Sequence, residues 1–230
     1  DLSLLGGWSG VDHSTALDPA SPSLLDVPLT ITNWTGNITV QHLDFQTASG
    51  TVGSLVVETE GDISLNNVAI DDNQLGPGAS LDNCLAAGPA CTASGIVTVS
   101  DSSFTTNDEE GLLIQSSGDV TVKQTTVSEN NAAGMVVDID YGDANEVKVK
   151  SVTAENNGGP GVEITDADGN VYLSDITASG NADGVQVSDI YGSVYATGLD
   201  TSDNSADGLD IDNVNGVVVV QDSTASRNSD

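Results

Sequence analysis

Large side chains are scarce in this sequence: Phe, Trp and Tyr make up 3% of the 230 residues, and Met occurs once. This scarcity excludes a thick globular core built from aromatic residues. The hydrophobic fraction is nevertheless 37%, and apolar residues alternate with polar ones, which excludes a disordered chain. The composition therefore favours a narrow core in which small aliphatic side chains pack in layers.

Basic residues are equally scarce. Lys and Arg number 4 against 35 Asp and Glu, which gives a formal net charge of -31 at pH 7. Nucleic acid and anionic lipid both require Lys or Arg contacts, so the charge excludes them as partners. A surface of this sign attracts divalent cations and keeps the protein soluble in high salt.

The sequence has no apolar run near the ~20 residues that span a bilayer, so membrane insertion is not expected. The chain begins at Asp1 rather than Met, and we expect a mature or excised piece of a longer secreted protein, extracellular or on the cell surface.

Cys84 and Cys91 lie in a Gly/Pro/Ala-rich stretch and favour a loop disulfide, which suits an oxidising compartment. Two unrelated thiols are the alternative.

An internal repeat of about 24 residues runs through the second half of the chain. Asn recurs at its corner, at Asn107, Asn130, Asn156, Asn181, Asn204 and Asn228. A Gly follows the first five, at Gly111, Gly134, Gly161, Gly184 and Gly208. After each Gly comes an alternating apolar segment such as Leu112–Ile114, then a polar turn, a second alternating segment such as Val120–Val122, and a third that leads back to Asn.

Three short strands of period two in each repeat predict one triangular turn, here called a rung, of a parallel β-helix. An α-helix is excluded because the apolar spacing is two rather than 3.6, and a propeller blade would need four longer strands. The recurrence of Asn at this corner has a physical reason. Asn tolerates left-handed backbone angles, and its amide can hydrogen-bond the same residue one rung away. With weaker rungs before residue 107, we predict an all-β, right-handed parallel β-helix (solenoid) of about eight three-strand rungs.

The first 26 residues lack the repeat and predict a turn-rich N-terminal cap, followed by the β-helix over 27–230 with an insertion around 82–94 that holds both cysteines. The cap reads Gly6-Gly7-Trp8 after a short apolar strand, then Asp18-Pro19 and Pro22. With the repeats, this pattern resembles secreted bacterial right-handed β-helix proteins of the pectin-lyase-like superfamily, many of which are surface proteins or adhesins. The resemblance is specific for fold and not for one function.

The same fold hosts pectate lyases and polygalacturonases, so individual residues must decide whether this chain is an enzyme. The resemblance implies that a lyase would place acidic Ca²⁺ ligands beside a proton-abstracting base. The available bases are Lys123, Lys148, Lys150 and Arg227. The three lysines alternate outward on two rungs, which is typical of a solvated face. A hydrolase would need clustered Asp with His and Arg, but Asp71-Asp72 stands apart from His42 and His13. We therefore predict that the chain is not an enzyme.

Acidic residues recur in the turn after the first strand of each rung. They are Asp138, Asp140, Asp143, Asp166, Asp168, Asp189, Asp210 and Asp212. Stacked rungs would bring such carboxylates to ~5 Å spacing, and Ca²⁺ takes oxygen ligands of this kind. Two interpretations stay open, a calcium-binding edge and a solvated acidic edge suited to high salt. Calcium is the one cofactor that we consider.

The preferred functional hypothesis is a structural or adhesive extracellular module without chemistry of its own, which associates end to end or continues into a longer surface stalk. The alternative is a carbohydrate-binding or carbohydrate-cleaving protein. Its candidate sugar-stacking side chains are Tyr141, Tyr172, Tyr191 and Tyr195, of which Tyr172 and Tyr195 fall outward on second strands. Asn33-Trp34-Thr35 and Asn37-Ile38-Thr39 match the N-glycosylation triplet, with a plain turn residue at Asn33 as the alternative.

Overall fold

The structure is a computed structural model that describes residues 1–7, 21–46, 51–84, 95–139 and 145–229. These residues form strands and turns without any helix, and every strand pairing among them is parallel. Accordingly, the described ranges hold no helix that could cross a membrane.

Two sheets make up the solenoid. The larger has twelve strands: β1 (Leu2–Leu5), β2 (Ser23–Leu25), β4 (Ile38–Gln46), β6 (Ile63–Asp71), β8 (Val97–Ser100), β9 (Ser103–Thr105), β11 (Val120–Ser128), β13 (Val147–Glu155), β15 (Val171–Ser174), β16 (Thr177–Ser179), β18 (Val194–Thr197) and β20 (Val218–Gln221). The smaller has eight: β3 (Leu29–Trp34), β5 (Leu55–Thr59), β7 (Ala79–Asp82), β10 (Leu112–Gln115), β12 (Met135–Asp138), β14 (Val162–Thr165), β17 (Val185–Ser188) and β19 (Leu209–Ile211).

Each rung contributes one strand to the eight-stranded sheet and then crosses to the twelve-stranded sheet before returning. Equivalent residues of successive rungs pair in register, as Val120 does with Val97 on one side and Val147 on the other. The eight strands of the smaller sheet correspond to eight rungs. The predicted all-β parallel β-helix of about eight rungs is confirmed.

The core forms because successive side chains of each strand point alternately inward and outward. In β11 the side chains of Val120, Val122 and Val127 point inward and are fully buried, whereas Lys123 between them is exposed. Burying a valine of this kind contributes about 1.5–3 kcal/mol, so a ladder of small residues stabilises a narrow interior without aromatic bulk. Phe45 and Phe104 are the largest fully buried side chains.

The predicted second and third strands of a rung join as one bent strand in four rungs. β4, β6, β11 and β13 are each nine residues long and contain one residue with positive φ at the bend: His42 (55°), Asn67 (50°), Gln124 (50°) and Ser151 (53°). A single left-handed residue turns the chain while its neighbours keep the sheet pairing. The column continues through Asp101, Asp175, Gly198 and Asp222 in the other rungs.

A ladder of buried asparagines, here the Asn ladder, runs along the corner that precedes the eight-stranded sheet. Its members are Asn73, Asn107, Asn130, Asn157, Asn181, Asn204 and Asn228. The backbone N–H of each member donates to the Oδ1 of the next at 2.9–3.2 Å. From Asn130 onward, each Nδ2 also donates to a backbone carbonyl of the preceding rung, for example Asn130 to Phe104 at 3.2 Å. The ladder satisfies backbone groups that the turn would otherwise leave unpaired.

The prediction that Asn156 belongs to this ladder is wrong, because Asn157 takes the position. Asn156 is exposed and has φ of 58°, whereas Asn157 is buried and bonded to Asn130 and Asn181. In every described rung of the ladder, the residue before the ladder Asn adopts this left-handed conformation. Asn156 fills that corner position, which Gly180 fills one rung later. Two adjacent asparagines made the two roles indistinguishable in the sequence.

The glycine that follows the ladder is required by close approach of the next rung. A Cβ on Gly134 would stand 2.5 Å from the Gly161 carbonyl oxygen and 2.8 Å from Asn157 Nδ2. Both distances are shorter than van der Waals contact, so a larger residue here would push the Asn ladder apart.

The segment 1–26, predicted as a cap, contributes strands to the solenoid. Both β1 and β2 pair with β4 in the twelve-stranded sheet. Residues 8–20, which include Trp8, His13 and Asp18-Pro19, lie outside the described residues. The insertion predicted around 82–94 begins after β7, and its residues 85–94 also lie outside them.

The roles of Asn156 and Asn157 can be separated by making the same substitution at each. We expect Asn157→Gly to lower the free energy of unfolding by about 2–4 kcal/mol, because it removes bonds to both neighbouring rungs and leaves buried partners unsatisfied. The matched control Asn156→Gly should change it by less than about 1 kcal/mol, since glycine adopts positive φ freely. Urea unfolding followed by circular dichroism measures both. Equal losses would contradict the assignment.

Candidate functional site

A ledge of Lys148, Tyr172 and Tyr195 lies on the outer face of the twelve-stranded sheet. The three residues are register partners on β13, β15 and β18, so sheet pairing alone places them side by side. The two tyrosine rings stack with centroids 5.3 Å apart and planes inclined by 12°. Lys148 Nζ lies 5.9 Å from the Tyr172 centroid, within the range of a cation–π contact.

Polar neighbours hold the ledge in place. Asn170 Nδ2 bonds the hydroxyl oxygen of Tyr172 at 3.2 Å. Glu146 accepts a hydrogen bond from Lys148 Nζ and forms an ion pair with it. This hydrogen bond and the carboxylate charge raise the pKa of Lys148 above its ordinary value, so the ammonium group stays protonated at neutral pH.

A shallow groove of about 350 Å³ lies along the ledge. Tyr172, Tyr195 and Val219 line it from one column of outward side chains. Ser174, Thr197 and Gln221 line it from the column two residues further along the strands. The groove therefore combines a flat aromatic surface with hydroxyl and amide groups at its side.

All three lysines of this strongly acidic chain lie on two neighbouring strands next to the groove. Lys123 and Lys150 are register partners on β11 and β13, and Lys150 pairs in turn with Ser174 at the groove. All three lysines are exposed, as the sequence predicts. Arg227, the fourth basic residue, instead forms a bidentate ion pair with Asp203 at the last rung.

The acidic turn residues predicted as calcium ligands occupy several columns rather than one. Asp138 pairs with Thr165 and Asp210 pairs with Gln186, while Asp168 and Asp212 are exposed in the turns. Asp166 and Asp189 follow the register partners Thr165 and Ser188, and both have positive φ. Asp140 and Asp143 lie outside the described residues. In the ranges that the structure describes, no group of three acidic, His or Cys side chains is arranged to hold a metal ion.

Asp166 and Asp189 form the one carboxylate pair on neighbouring rungs among these six described residues. Asn213 continues their column and donates a hydrogen bond from Nδ2 to Asp189. These three residues, Tyr191 and Asn215 surround a small cavity of about 180 Å³. Ca²⁺ takes about six to eight oxygen ligands, so water and backbone carbonyls would have to supply most of them here.

The residues weighed for hydrolysis do not come together. The carboxylate of Asp71 accepts hydrogen bonds from the hydroxyls of Thr105 and Thr106. His42 lies at a left-handed bend, and its Nδ1 is 2.9 Å from Asn67 Nδ2. Asp71 pairs with Gln46, four residues beyond His42 on the neighbouring strand, so the two groups belong to different columns. His13 lies outside the described residues.

The remaining predicted positions are dispersed. Cys84 is disulfide-bonded, and Cys91 lies outside the described residues. Tyr191 is 65% exposed beside the acidic turn, apart from the ledge, and Tyr141 lies outside the described residues. Alternation indicated that Tyr172 and Tyr195 point outward, but the sequence reasoning did not align Lys148 with them. The signal was present in the repeat, since Lys148, Tyr172 and Tyr195 each follow the first valine of a second strand.

The geometry and the comparisons with known proteins agree on the class of this chain. A family model described as "Right handed beta helix region" matches residues 35–174, more than half of the sequence. The chain therefore belongs to the right-handed β-helix family. A comparison with curated proteins finds no match.

An acidic side chain with a shifted pKa, Glu163, lies on the outer face of the eight-stranded sheet. Glu163 on β14 is half-buried, and this burial raises the pKa of its carboxyl group. The negative charges of Glu110 and Asp138 raise that pKa further. Ionised Glu163 is therefore less favourable in the folded protein than in the unfolded chain.

This pKa shift predicts a pH-dependent effect of Glu163→Gln. Because the folded-state pKa is raised, the wild type loses stability as pH rises through it, whereas the variant does not titrate there. We expect the variant to be more stable at pH 7 by less than about 1 kcal/mol, since solvent screens a half-exposed side chain. The difference should vanish below the ordinary glutamate pKa of about 4.3.

Thermal unfolding of both proteins between pH 3.5 and 7.5 measures this difference. Gln186 occupies the same column one rung later, so the substitution fits the site. Glu155→Gln on the other sheet is the matched control. A Glu163→Gln variant that is less stable than wild type at pH 7 would contradict the assignment.

Proposed function

We propose that this protein is a non-catalytic extracellular module with a structural or adhesive role, and that its ledge binds a glycan. The stacked pair of Tyr172 and Tyr195 is the observation that carries the proposal. Two nearly coplanar rings form a flat apolar platform, and a sugar ring has one face of C–H groups that packs on such a surface. Sheet pairing places the two rings side by side, and the presence of two surface tyrosines at these positions in a chain with 3% aromatic residues supports a binding role.

The surroundings of the platform suit a saccharide. The groove beside it offers the hydroxyls of Ser174 and Thr197 and the amide of Gln221 as hydrogen-bond partners for sugar hydroxyls. Lys148, ion-paired with Glu146, adds an ammonium donor at the end of the tyrosine pair. Because the strands repeat in register, these groups follow the solenoid axis, which suits a chain of sugars rather than a single one.

The chemistry of Lys148 supports a binding role over catalysis. A lysine that abstracts a proton must be neutral at the working pH, and enzymes lower its pKa by burial for that purpose. Lys148 is exposed, and its bond to Glu146 raises its pKa instead. This residue therefore suits hydrogen-bond donation to a sugar hydroxyl better than it suits the role of a general base.

Carbohydrate cleavage is the second candidate function. Lys150 favours it, since this exposed lysine lies in the column of Ser174 and Thr197 at the edge of the groove. A lyase would release unsaturated products that absorb in the ultraviolet, and a hydrolase would release reducing ends. Assays for both products on any glycan that binds would separate this candidate from a purely adhesive module.

Two further parts of the proposal concern partners. Val218 and Val220 of β20 are 45% and 44% exposed, although their register partners Val194 and Ala196 are buried. This supports association end to end or continuation into further rungs, which light scattering at increasing protein concentration would examine.

Calcium binding by the acidic turns also remains a proposal, and unfolding temperatures with Ca²⁺ and with a chelator test it.

The ledge predicts the effect of removing its rings. We expect Tyr172→Ala combined with Tyr195→Ala to weaken glycan binding about tenfold or more, since each stacked ring contributes about 0.5–1.5 kcal/mol beyond its buried area and 1.4 kcal/mol is tenfold. Tyr191→Ala is the matched control, because that exposed tyrosine lies beside the acidic turn. A panel of neutral and acidic glycans identifies the ligand, and calorimetry measures the affinities. Absence of binding to every glycan, or equal affinity of all variants, would contradict the proposal.

A further inference from the structure

The two N-glycosylation triplets near the N-terminus have different structural settings. Both asparagines are exposed, so exposure alone does not distinguish Asn33 from Asn37. A transferase binds the acceptor triplet as an accessible segment, and the attached oligosaccharide needs a surface position. On the folded chain, the pairing of the surrounding strands therefore decides which triplet is available.

The second triplet, Asn37-Ile38-Thr39, is fixed between neighbouring strands on both sides. Asn37 accepts the Leu2 N–H on its backbone oxygen at 2.8 Å and the Asp62 N–H on its side-chain Oδ1 at 3.0 Å. Ile38 is buried in β4, which pairs with β1 and β6. The side chain is also crowded, since a Cβ on Gly61 would stand 2.7 Å from Asn37 Oδ1.

Among the described residues, the first triplet, Asn33-Trp34-Thr35, is held from one side only, where Trp34 pairs with Thr59 and its backbone oxygen accepts the Glu60 N–H at 3.0 Å. It begins in β3, which is the last strand of the eight-stranded sheet and pairs with β5 alone among the described residues. The register shifts between Ile31 and Trp34, and Asn33 has φ of 57°. Asn33 Nδ2 makes a long bond of 3.4 Å to the adjacent Thr32 Oγ1, and Thr35 is exposed beyond the end of the strand.

We infer that Asn33, and not Asn37, is the acceptor of an N-linked oligosaccharide. The donor class is an oligosaccharide bound to a lipid through diphosphate. In the transfer, Asn33 Nδ2 attacks the anomeric carbon, the bond from that carbon to the diphosphate oxygen breaks, and the diphosphate leaves with the electron pair. Nδ2 loses one proton and keeps one, so the product is a glycosylated amide.

The position gives the modification a physical consequence for the fold. The outer edge of β3 presents backbone N–H and C=O groups without a strand partner in the described part of the chain, and such edges invite pairing with other chains. An oligosaccharide at Asn33 would stand beside this edge and obstruct such pairing. The inference shares with the proposed function only the export of the chain and does not depend on the ledge.

The test is peptide mapping of the purified, folded chain after incubation with an oligosaccharide transferase and its donor, an oligosaccharide bound to a lipid through diphosphate. Because the chain has 4 basic residues, proteases that cleave at Asp or Glu are used in place of trypsin. We expect oligosaccharide on the peptide that contains Asn33, lost in Asn33→Gln and Thr35→Ala and retained in Thr35→Ser and Asn37→Gln. The glycan-binding assay of the ledge is run separately on the Asn33→Gln variant and should be unchanged.

A reporter peptide that carries an Asn-X-Thr triplet, added to the same reaction, shows that the transferase is active. Oligosaccharide on Asn37, or an unmodified chain beside a modified reporter, would overturn the inference. Each of these results leaves the ledge experiment intact, so failure of this inference is distinguishable from failure of the binding proposal.

Discussion

The hydrogen bond from one ladder asparagine to the next is the constraint on which the solenoid depends. Each rung turns a corner where backbone groups point inward, and a buried unpaired group of this kind costs about 1–3 kcal/mol. The Asn157 side chain satisfies the Asn130 N–H and the Val127 carbonyl of the preceding rung, and Asn181 of the next rung satisfies the Asn157 backbone N–H. Its side chain fits because Gly134 has no Cβ, just as Gly161 leaves room for Asn181. Asn and Gly at this corner therefore act as one unit that fixes the register between rungs.

Fixed register is also what creates the binding surface. Neighbouring parallel strands lie about 4.8 Å apart, so identical positions on successive rungs place like side chains at stacking distance. Tyr172 and Tyr195 meet at 5.3 Å for this reason, with Lys148 aligned one rung earlier. The same rule explains why the acidic turns do not form a continuous edge. Asp138 ends its strand, Asp210 lies in the middle of its strand and Asp168 lies in a turn, so the three fall into different columns.

Period-two alternation and the recurring Asn and Gly predict the architecture because both reflect backbone constraints that only a few residue types satisfy. The bend inside the long strands could not be predicted, since His42, Gln124 and Ser151 all adopt it and residue type carries no signal there. Ladder membership of Asn157 rather than Asn156 depends on which of two neighbours points inward. The ledge could be predicted only in part. Alternation places the tyrosines outward, but their alignment with Lys148 requires the register of β13.

Side-chain amide hydrogen exchange, measured by NMR on the wild-type protein, tests the ladder most directly. The account predicts that the Nδ2 protons of Asn130, Asn157 and Asn181 exchange far more slowly than those of exposed Asn33 and Asn156, because the first three are buried and bonded to the neighbouring rung. Exchange at Asn157 that is as fast as at Asn156 would contradict the claim that this ladder holds the rungs in register.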